Sequence, residues 1–392
     1  MQVNQRWTNV SVTTVDGVVN RDLLIVGDKF GDLIDPDTAD SDDWQLIDGN
    51  GSILYPGMID LLQHGMQRHL YSDATPGAVE ETSQFLLRCG TTGFLPSIGA
   101  TPADRMEGVL RDLSAQCRSA TGASAIGVHS EGPCFALAGA HNPENLGRPG
   151  TALADAMLEA TDGALKAVTL APELPGSQEF IGALKAERVS IHLGHSFAAP
   201  EDVSRYVSWG IDAVTHMYNV MPTLPSDSSG IHPFSLPDAL LAEKDLALGL
   251  ICDGIHVHPK LVQVLAQLPA HRVFLETDAM KYAGDEDTEF EFYPGYWVRS
   301  ERGNAVRDRQ GGLCGSSLTP DEAMRNYIRL GETDLVGAAH ATSLVPARVL
   351  GMDDELGSIA PGKQADFVVL EPKSLTVQAT YMGGTKRYEL GS

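Results

Sequence analysis

Apolar residues recur along the middle of the chain in short, nearly continuous runs. Eight runs predict strands: SILYPGMIDL, TTGFLPSI, SAIGVHSE, LKAVTLAPE, RVSIHLGHS, DAVTHMYN, LALGLICDG and RVFLETDAM. Between them, stretches such as TPADRMEGVLRDLSAQCRSA place apolar residues at helical spacing. Parallel strands are buried on both faces, so such runs favour a parallel sheet whose strands alternate with helices. About eight of these units predict an α/β fold, a (β/α)8 barrel of the TIM type.

Both ends of the chain show shorter alternating patterns that predict a second, smaller domain. DLLIVGDKFGDLI near the N-terminus breaks at glycines as hairpins do, and GSIAPGKQADFVVLEP near the C-terminus has the same character. We expect residues 1–55 and 352–392 to form one small β-sandwich domain. Residues 56–351 would then form the catalytic barrel.

Composition narrows the possible partners and the compartment. The chain has 392 residues, of which 43% are hydrophobic, and a formal net charge of −24. This charge argues against nucleic acid, whose phosphates bind lysine and arginine. The five cysteines are scattered without a C-x-x-C motif, and neither a signal peptide nor a membrane span is visible. We therefore expect a cytoplasmic protein with reduced thiols that binds neither nucleic acid nor membranes.

Four of the predicted strands end at residues that can bind a metal or transfer a proton. These residues are Glu131, His195, His216 and Asp278. Alone, each has a structural explanation, because carboxylates cap helices and histidines form structural hydrogen bonds. In a barrel, however, all strand ends meet at one rim. Two imidazoles and one carboxylate form a catalytic metal set with an open position, and a further carboxylate supplies a general base.

Several motifs then resemble those of a known family. In order, HSEGPCF, GAHNPEN, VTLAPE, LGHSFA, THMYNVMP, DGIHVHP, ETDAM and GLCGSSLT are similar to the motifs of N-acetylglucosamine-6-phosphate deacetylases, which belong to the amidohydrolase superfamily. The resemblance covers residues from about 50 to 370. It implies a hydrolase that converts N-acetylglucosamine 6-phosphate into glucosamine 6-phosphate and acetate. It also implies a homodimer.

The resemblance assigns roles to individual residues. Glu131, His195 and His216 would bind one divalent metal, Zn²⁺ as the first choice, with Fe²⁺, Co²⁺ and Mn²⁺ left open. Asp278 would act as the catalytic acid and base, and His141 would polarise the amide carbonyl. The residues expected to contact the sugar or its phosphate are His141, Asn142, Asn219, Val220, His256, Leu313, Cys314 and Gly315.

Two positions depart from the family pattern. Leu62 and His64 stand where many superfamily members carry H-x-H, so we expect a single metal, with His64 left as a weak ligand, a substrate contact or a structural residue. Asp227 stands where phosphate-specific members carry an arginine. An aspartate would repel phosphate, which leaves open an unphosphorylated or differently charged N-acyl substrate. Otherwise the positive charge must come from Lys281, Arg148 or Arg68.

Two other functions remain open at this point. One is a different amidohydrolase, such as an N-acyl amino acid deacylase or a cyclic amide hydrolase. Against it, the fourth predicted strand, LKAVTLAPE, has no lysine in its rim stretch that could be carboxylated. The other is a metal-free barrel that serves as a binding protein, which the presence of all four rim residues disfavours. A metal analysis of the purified chain distinguishes the binding protein from an enzyme.

Overall fold

The computed structural model describes residues 4–39, 44–221 and 233–391. Its central feature is a parallel β-barrel, which confirms the predicted fold. The eight barrel strands, here called the first to the eighth, are Met58–Gln63, Thr91–Ile98, Val128–Glu131, Leu165–Leu170, Ser190–Leu193, Ala213–Val214, Ala247–Leu250 and Val273–Leu275. Consecutive strands pair in parallel from the first to the eighth. A short strand, Ser124–Ala125, also pairs with the second strand.

The eighth strand returns to the first and nearly closes the barrel. A parallel bridge joins Gln63 to Ala279, and the backbone N–H of Asp278 donates to the carbonyl of Leu62 at 2.9 Å. The predicted first strand, 52–61, is corrected in one respect. It divides into Ile53–Pro56, which belongs to a separate sheet, and the first barrel strand, Met58–Gln63. The break falls at Gly57, directly after Pro56: the backbone N–H of Gly57 donates to Asp366, whereas that of Met58 donates to Gly90.

Helices of varied length follow the barrel strands and cover the barrel. The α-helices are Ala78–Arg88, Ala103–Ser119, Thr151–Thr161, Ser177–Ala186, Val203–Ser208, Leu236–Ala242, Pro259–Ala266, Pro320–Gly331, Leu335–Ala339 and Val345–Val349. Short 3-10 turns lie at Tyr71–Asp73, Pro143–Asn145 and Pro200–Asp202, and a π-helical turn lies at His340–Leu344. Within the described residues, no helix combines the length and the apolar character needed to cross a membrane.

Two sheets built from both ends of the chain form the predicted β-sandwich. One contains, in spatial order, Lys29–Ile34, Asp22–Val26, Gln5–Thr8 and Gln45–Asp48. The other contains Thr385–Glu389, Val377–Met382, Phe367–Leu370, Ile53–Pro56, Ser11–Thr13 and Val18–Val19. Trp7 contacts Phe367 and Tyr381 edge-on, with ring centroids 5.3 and 5.1 Å apart, in a core separate from that of the barrel. The exact division at residues 55 and 352 stays a prediction.

After the eighth strand the chain makes an antiparallel excursion before it returns to the helices. Its four strands are Thr288–Tyr293, Tyr296–Ser300, Ala305–Asp308 and Leu313–Ser316. Phe290, Val298 and Cys314 pack with Met280 in one apolar cluster. The cluster holds this sheet against the segment that follows Asp278, so the excursion lies beside the barrel mouth.

A buried carboxyl group links the first and eighth strands inside the barrel wall. Asp60 is 2% exposed, and one of its oxygens accepts the hydroxyl of Thr277 at 2.7 Å. The other oxygen accepts the backbone N–H of Thr277 at 3.1 Å. Burial raises the pKa of Asp60 to about 7, although the hydrogen bonds from Thr277 oppose this. The barrel is therefore closed in part by a carboxyl group that is costly to ionise.

We expect the contribution of Asp60 to stability to depend on pH. In the unfolded chain the carboxyl group of Asp60 ionises near pH 4, whereas in the folded chain it keeps its proton up to about pH 7. Between these two pH values the folded state therefore binds more protons than the unfolded state. The stability that Asp60 contributes is lost as the pH rises through this range. Asp60→Asn should be about as stable as the wild type near pH 4. Near pH 8 its unfolding free energy should exceed that of the wild type by about 2–4 kcal/mol.

Urea unfolding of both proteins across this range measures the shift. The control is Asp104→Asn in the first turn of helix Ala103–Ser119, which removes the same charge from an exposed position and should not show the shift. A difference between Asp60→Asn and the wild type that does not change with pH would contradict the prediction.

Candidate functional site

The four rim residues predicted from the sequence lie together at the carboxyl end of the barrel. Glu131 is the last residue of the third strand. His195 follows the fifth strand by two residues, His216 follows the sixth by two, and Asp278 follows the eighth by three. All four are buried, with at most 8% of their surface exposed. The strands therefore deliver these polar side chains to one place.

The carboxylate of Glu131 is the centre of this group. Its Oε1 lies 3.0 Å from His216 Nε2 and 3.3 Å from His195 Nε2. Its Oε2 lies 2.9 Å from His64 Nε2 and 3.1 Å from His141 Nε2. The Nε2 atoms of His195 and His216 are themselves 3.2 Å apart. Four imidazoles thus converge on one buried carboxylate, each through the same ring atom.

The electrostatics of the group follow from burial and from this carboxylate. Burial lowers the pKa of His195 to about 4. For His216 burial acts in the same direction, but the hydrogen bond and charge of Glu131 outweigh it and raise the pKa to about 9. Burial would raise the pKa of Glu131, yet the imidazoles, His141 first, hold it well below its usual range. The negative charge of the Glu131 carboxylate therefore favours positively charged neighbours.

Three of the four rim residues adopt a left-handed backbone that non-glycine residues seldom use. The φ angles are 51° at His195, 36° at His216 and 48° at Asp278. Tyr218 and Val220, just beyond His216, have φ angles of 76° and 52°. Such conformations cost free energy and persist only where the surroundings impose them, which they do most often at functional sites. The strained turns aim the side chains of His195, His216 and Asp278 inward from the strand ends.

His64 belongs to the same cluster, whereas Leu62 does not. His64 Nε2 lies 3.4 Å from Asp278 Oδ1 in addition to its contact with Glu131. Burial lowers the pKa of His64, but hydrogen bonds to Asp278 and Glu131 outweigh burial and raise it to about 10. Leu62 is fully buried and apolar, so it provides no ligand. His64 therefore bridges the proposed acid/base and the central carboxylate.

A cleft of about 170 Å³ opens above the cluster. Eight of the residues predicted to contact substrate, or named as candidates for it, line the cleft: His64, His141, Asn219, Val220, His256, Leu313, Cys314 and Gly315. Glu131, His195, His216 and Asp278 line its floor.

Two polar groups at the cleft wall are arranged for binding. Asn219 donates its side-chain N–H to the carbonyl of His256 at 3.2 Å, and its Oδ1 has no hydrogen-bond partner among the described residues. His256 Nδ1 lies 2.6 Å from the buried carboxylate of Asp253, which also accepts the backbone N–H groups of Ile255 and His256. Asp253 therefore fixes the ring of His256 and leaves its Nε2 for a ligand.

Other sequence candidates lie outside the cleft. Asn142 accepts the backbone N–H of Glu144 at 3.1 Å and caps the turn Pro143–Asn145, so its substrate role stays a prediction. Lys281 lies 3.6 Å from Asp73 and does not line the cleft. Arg68 pairs with Asp285 and Glu286. Asp227 lies outside the described residues.

No lysine or arginine lines the described cleft. The segments that the structure leaves undescribed, residues 1–3, 40–43, 222–232 and 392, contain neither residue type in their sequence. All 28 lysines and arginines of the chain therefore lie elsewhere in the described part. Within one copy of the chain, histidines are the only basic side chains at the cleft.

Several residues that shape the site were not predicted from the sequence. Phe135 stacks on His195 with ring centroids 4.2 Å apart, and Phe292 from the excursion lines the cleft wall. Ala140, Ile251 and Met280 also line it. Phe292 carries no local signal, because its position depends on how the excursion folds back.

Comparisons with known proteins agree with this geometry. The model of the amidohydrolase family matches residues 53–390. An N-acetylgalactosamine-6-phosphate deacetylase of Escherichia coli O157:H7 is 34% identical over 86% of this chain and 88% of its own. An N-acetylglucosamine-6-phosphate deacetylase of Bos taurus is 30% identical over 97% and 94%.

The solved structures agree on the fold. An N-acetylglucosamine-6-phosphate deacetylase from Pasteurella multocida superposes with a TM-score of 0.88, covering 98% of this chain and 99% of its own at 24% identity. The resemblance drawn from the sequence motifs is thereby confirmed. The chain is a member of the amidohydrolase family, on the branch that includes the N-acetylglucosamine- and N-acetylgalactosamine-6-phosphate deacetylases.

Proposed function

We propose that this protein is a metal-dependent deacetylase of an N-acetylated amino sugar, with N-acetylglucosamine 6-phosphate as the substrate and glucosamine 6-phosphate and acetate as the products. The observation that carries the proposal is the buried group of Glu131, His195 and His216 on the floor of the cleft. The relatives, which bear deacetylase names for two epimeric sugars, support the reaction class. The C4 epimer, N-acetylgalactosamine 6-phosphate, belongs in the same assay.

The donor set suits a divalent cation. Glu131, His141 and His195 offer one ligand atom each within 4.8 Å of one another, and His216 Nε2 lies 3.2 Å from His195 Nε2. Both this set and the set of Glu131, His195 and His216 contain two imidazoles and a carboxylate, which leave an open position. We assign the metal to Glu131, His195 and His216 and keep His141 for the acyl carbonyl, as the family resemblance implies. We propose one ion, Zn²⁺ as the first choice, since Leu62 removes a ligand from any second site. Such an ion supplies Lewis-acid activation of water and of the acyl carbonyl.

The chain's own residues would carry out the proton transfers. Asp278 accepts the proton of the attacking water and then delivers it to the nitrogen of the departing amine. His141 Nε2, which lies at the cleft beside Glu131, donates to the carbonyl oxygen as negative charge develops on it. His64, in contact with Asp278, orients that carboxylate. Mutation of one oxyanion donor typically costs about 3 kcal/mol of barrier.

Substrate contacts come from the cleft wall in this proposal. Asn219 Oδ1 and His256 Nε2 provide polar contacts to sugar hydroxyls, and the backbone at Val220 lies beside them. The loop Leu313, Cys314 and Gly315 lines the sugar on the side of the excursion. We further propose a cytoplasmic homodimer.

A second candidate substrate is an unphosphorylated or differently charged N-acyl sugar. The absence of lysine and arginine from the described cleft favours it, because a phosphate dianion is usually held by permanent cations. The net charge of −24 acts in the same direction. For the phosphorylated sugar, the missing cation would come from the second copy in the proposed homodimer.

Hydrolysis rates of four sugars decide between the two candidates. We expect kcat/KM for N-acetylglucosamine 6-phosphate to exceed that for N-acetylglucosamine by about 100-fold, because the neutral sugar lacks the charged contact that the phosphate would make. N-acetylgalactosamine 6-phosphate and N-acetylgalactosamine form the matched epimeric pair. Equal or faster hydrolysis of the neutral sugars would reject the phosphorylated substrate and support the second candidate.

Metal binding tests the proposed ligands separately from activity. His216→Asn should lose most bound metal, because the remaining set would have one imidazole fewer. The control is His192→Asn, which changes another fully buried histidine of the barrel that contacts Ser190 and does not line the cleft. Metal content by elemental analysis should fall in the first variant and stay at the wild-type level in the second. Equal metal content in all three proteins would contradict the assignment.

A further inference from the structure

Glu276 is a buried carboxyl group that the proposed chemistry does not use. It lies two residues before Asp278 and is 1% exposed. Its Oε1 accepts the backbone N–H of His216 at 2.5 Å, across 60 residues of sequence. Burying a carboxyl group in a barrel interior is costly unless it has a specific partner. This contact joins the eighth strand to the turn that carries a proposed metal ligand.

The backbone of His216 needs this acceptor because the sixth strand has already ended. The N–H of Thr215 pairs with the carbonyl of Leu193, and the N–H of Met217 pairs with the carbonyl of Gly249. Between them the chain turns into a left-handed conformation at His216, with φ of 36°. The neighbouring strands provide no backbone acceptor at that point. The side chain of Glu276 provides the acceptor instead.

Gly249, on the seventh strand, makes room for the carboxyl group. A Cβ atom at this position would lie 2.3 Å from Glu276 Oε1 and 2.8 Å from the carbonyl oxygen of Val214. Real Cβ atoms do not approach other atoms so closely. The glycine thus permits a side chain from the eighth strand to reach past the seventh strand to the sixth.

Two atoms of this pair lack partners among the described residues. They are Nδ1 of His216 and Oε2 of Glu276. A neutral imidazole that binds a metal through Nε2 carries its hydrogen on Nδ1, and that N–H usually donates to a carboxylate or a carbonyl. Oε2 of Glu276 is not hydrogen-bonded to Nδ1 of His216, so the contact between the two residues is the one through Oε1.

We infer that Glu276 is the positioning residue of His216, because it holds the backbone of this proposed ligand through Oε1. Gly249, which has no side chain, leaves the space that this arrangement requires. The inference rests on the proposed role of His216 as a metal ligand. Glu276 touches neither the cleft nor the substrate, so it acts only through His216.

Cobalt binding tests the inference with a readout other than activity. The metal-free wild type, Glu276→Ala and Glu276→Gln are titrated with Co²⁺, whose visible spectrum reports ligand geometry. Glu276→Ala should weaken Co²⁺ binding by about 10- to 100-fold and alter the spectrum. Glu276→Gln retains a carbonyl acceptor for the backbone N–H and should restore most of the affinity. Gly249→Ala, which leaves Glu276 in the sequence but displaces it, should reproduce the alanine defect.

The control is Asp366→Ala in the β-sandwich. Asp366 is a partly buried carboxyl group that likewise accepts a backbone N–H, that of Gly383 at 2.7 Å. The Asp366→Ala variant should be less stable than the wild type but should bind Co²⁺ with the same affinity and the same spectrum. Wild-type Co²⁺ binding at Glu276→Ala, or an equal loss at Asp366→Ala, would overturn the inference. A wild type that binds no Co²⁺ would instead reject the proposed function itself.

Discussion

The carboxylate of Glu131 is the constraint on which the rest of the site depends. It is 1% exposed, and four imidazole Nε2 atoms lie within 3.3 Å of its two oxygens. A buried negative charge is stable only when it is paired, so each histidine compensates for the desolvation of this one group. The same arrangement makes the cluster receptive to a cation. Charge balance and metal binding are therefore two consequences of one buried residue.

The barrel supplies the precision that this cluster requires. Each polar side chain comes from a different strand end, and the left-handed turns at His195, His216 and Asp278 direct those side chains inward. Behind them lies a second set of polar contacts. Asp60 ties the first strand to the eighth, and Glu276 ties the eighth to the turn at His216. The interior below the cleft is thus cross-linked by two carboxyl groups.

Much of the fold and the proposed ligand set could be predicted because the signals are local. An apolar run that ends in a polar residue is typical of a parallel strand that ends at the rim of a barrel. This pattern identified Glu131, His195, His216 and Asp278. The first predicted strand was wrong in its extent, because an apolar run does not show that two sheets share it. Only the proline within it marks the boundary.

Residues whose role depends on distant packing could not be predicted in this way. Phe292 reaches the cleft only because the excursion folds back over the barrel. Glu276 did have a signal, since it is a carboxyl group at the end of an apolar run, two residues before Asp278. Lys281 shows the opposite error. It follows Asp278 closely in sequence, but its side chain lies near Asp73 and not at the cleft.

The most direct test of the account is the location of the metal by anomalous diffraction from crystals of the loaded protein. The account predicts one peak per chain, bound by the Glu131 carboxylate and by Nε2 of His195 and His216 at about 2.0–2.2 Å. A peak held by other side chains, or no peak in protein that hydrolyses the sugar, would contradict it.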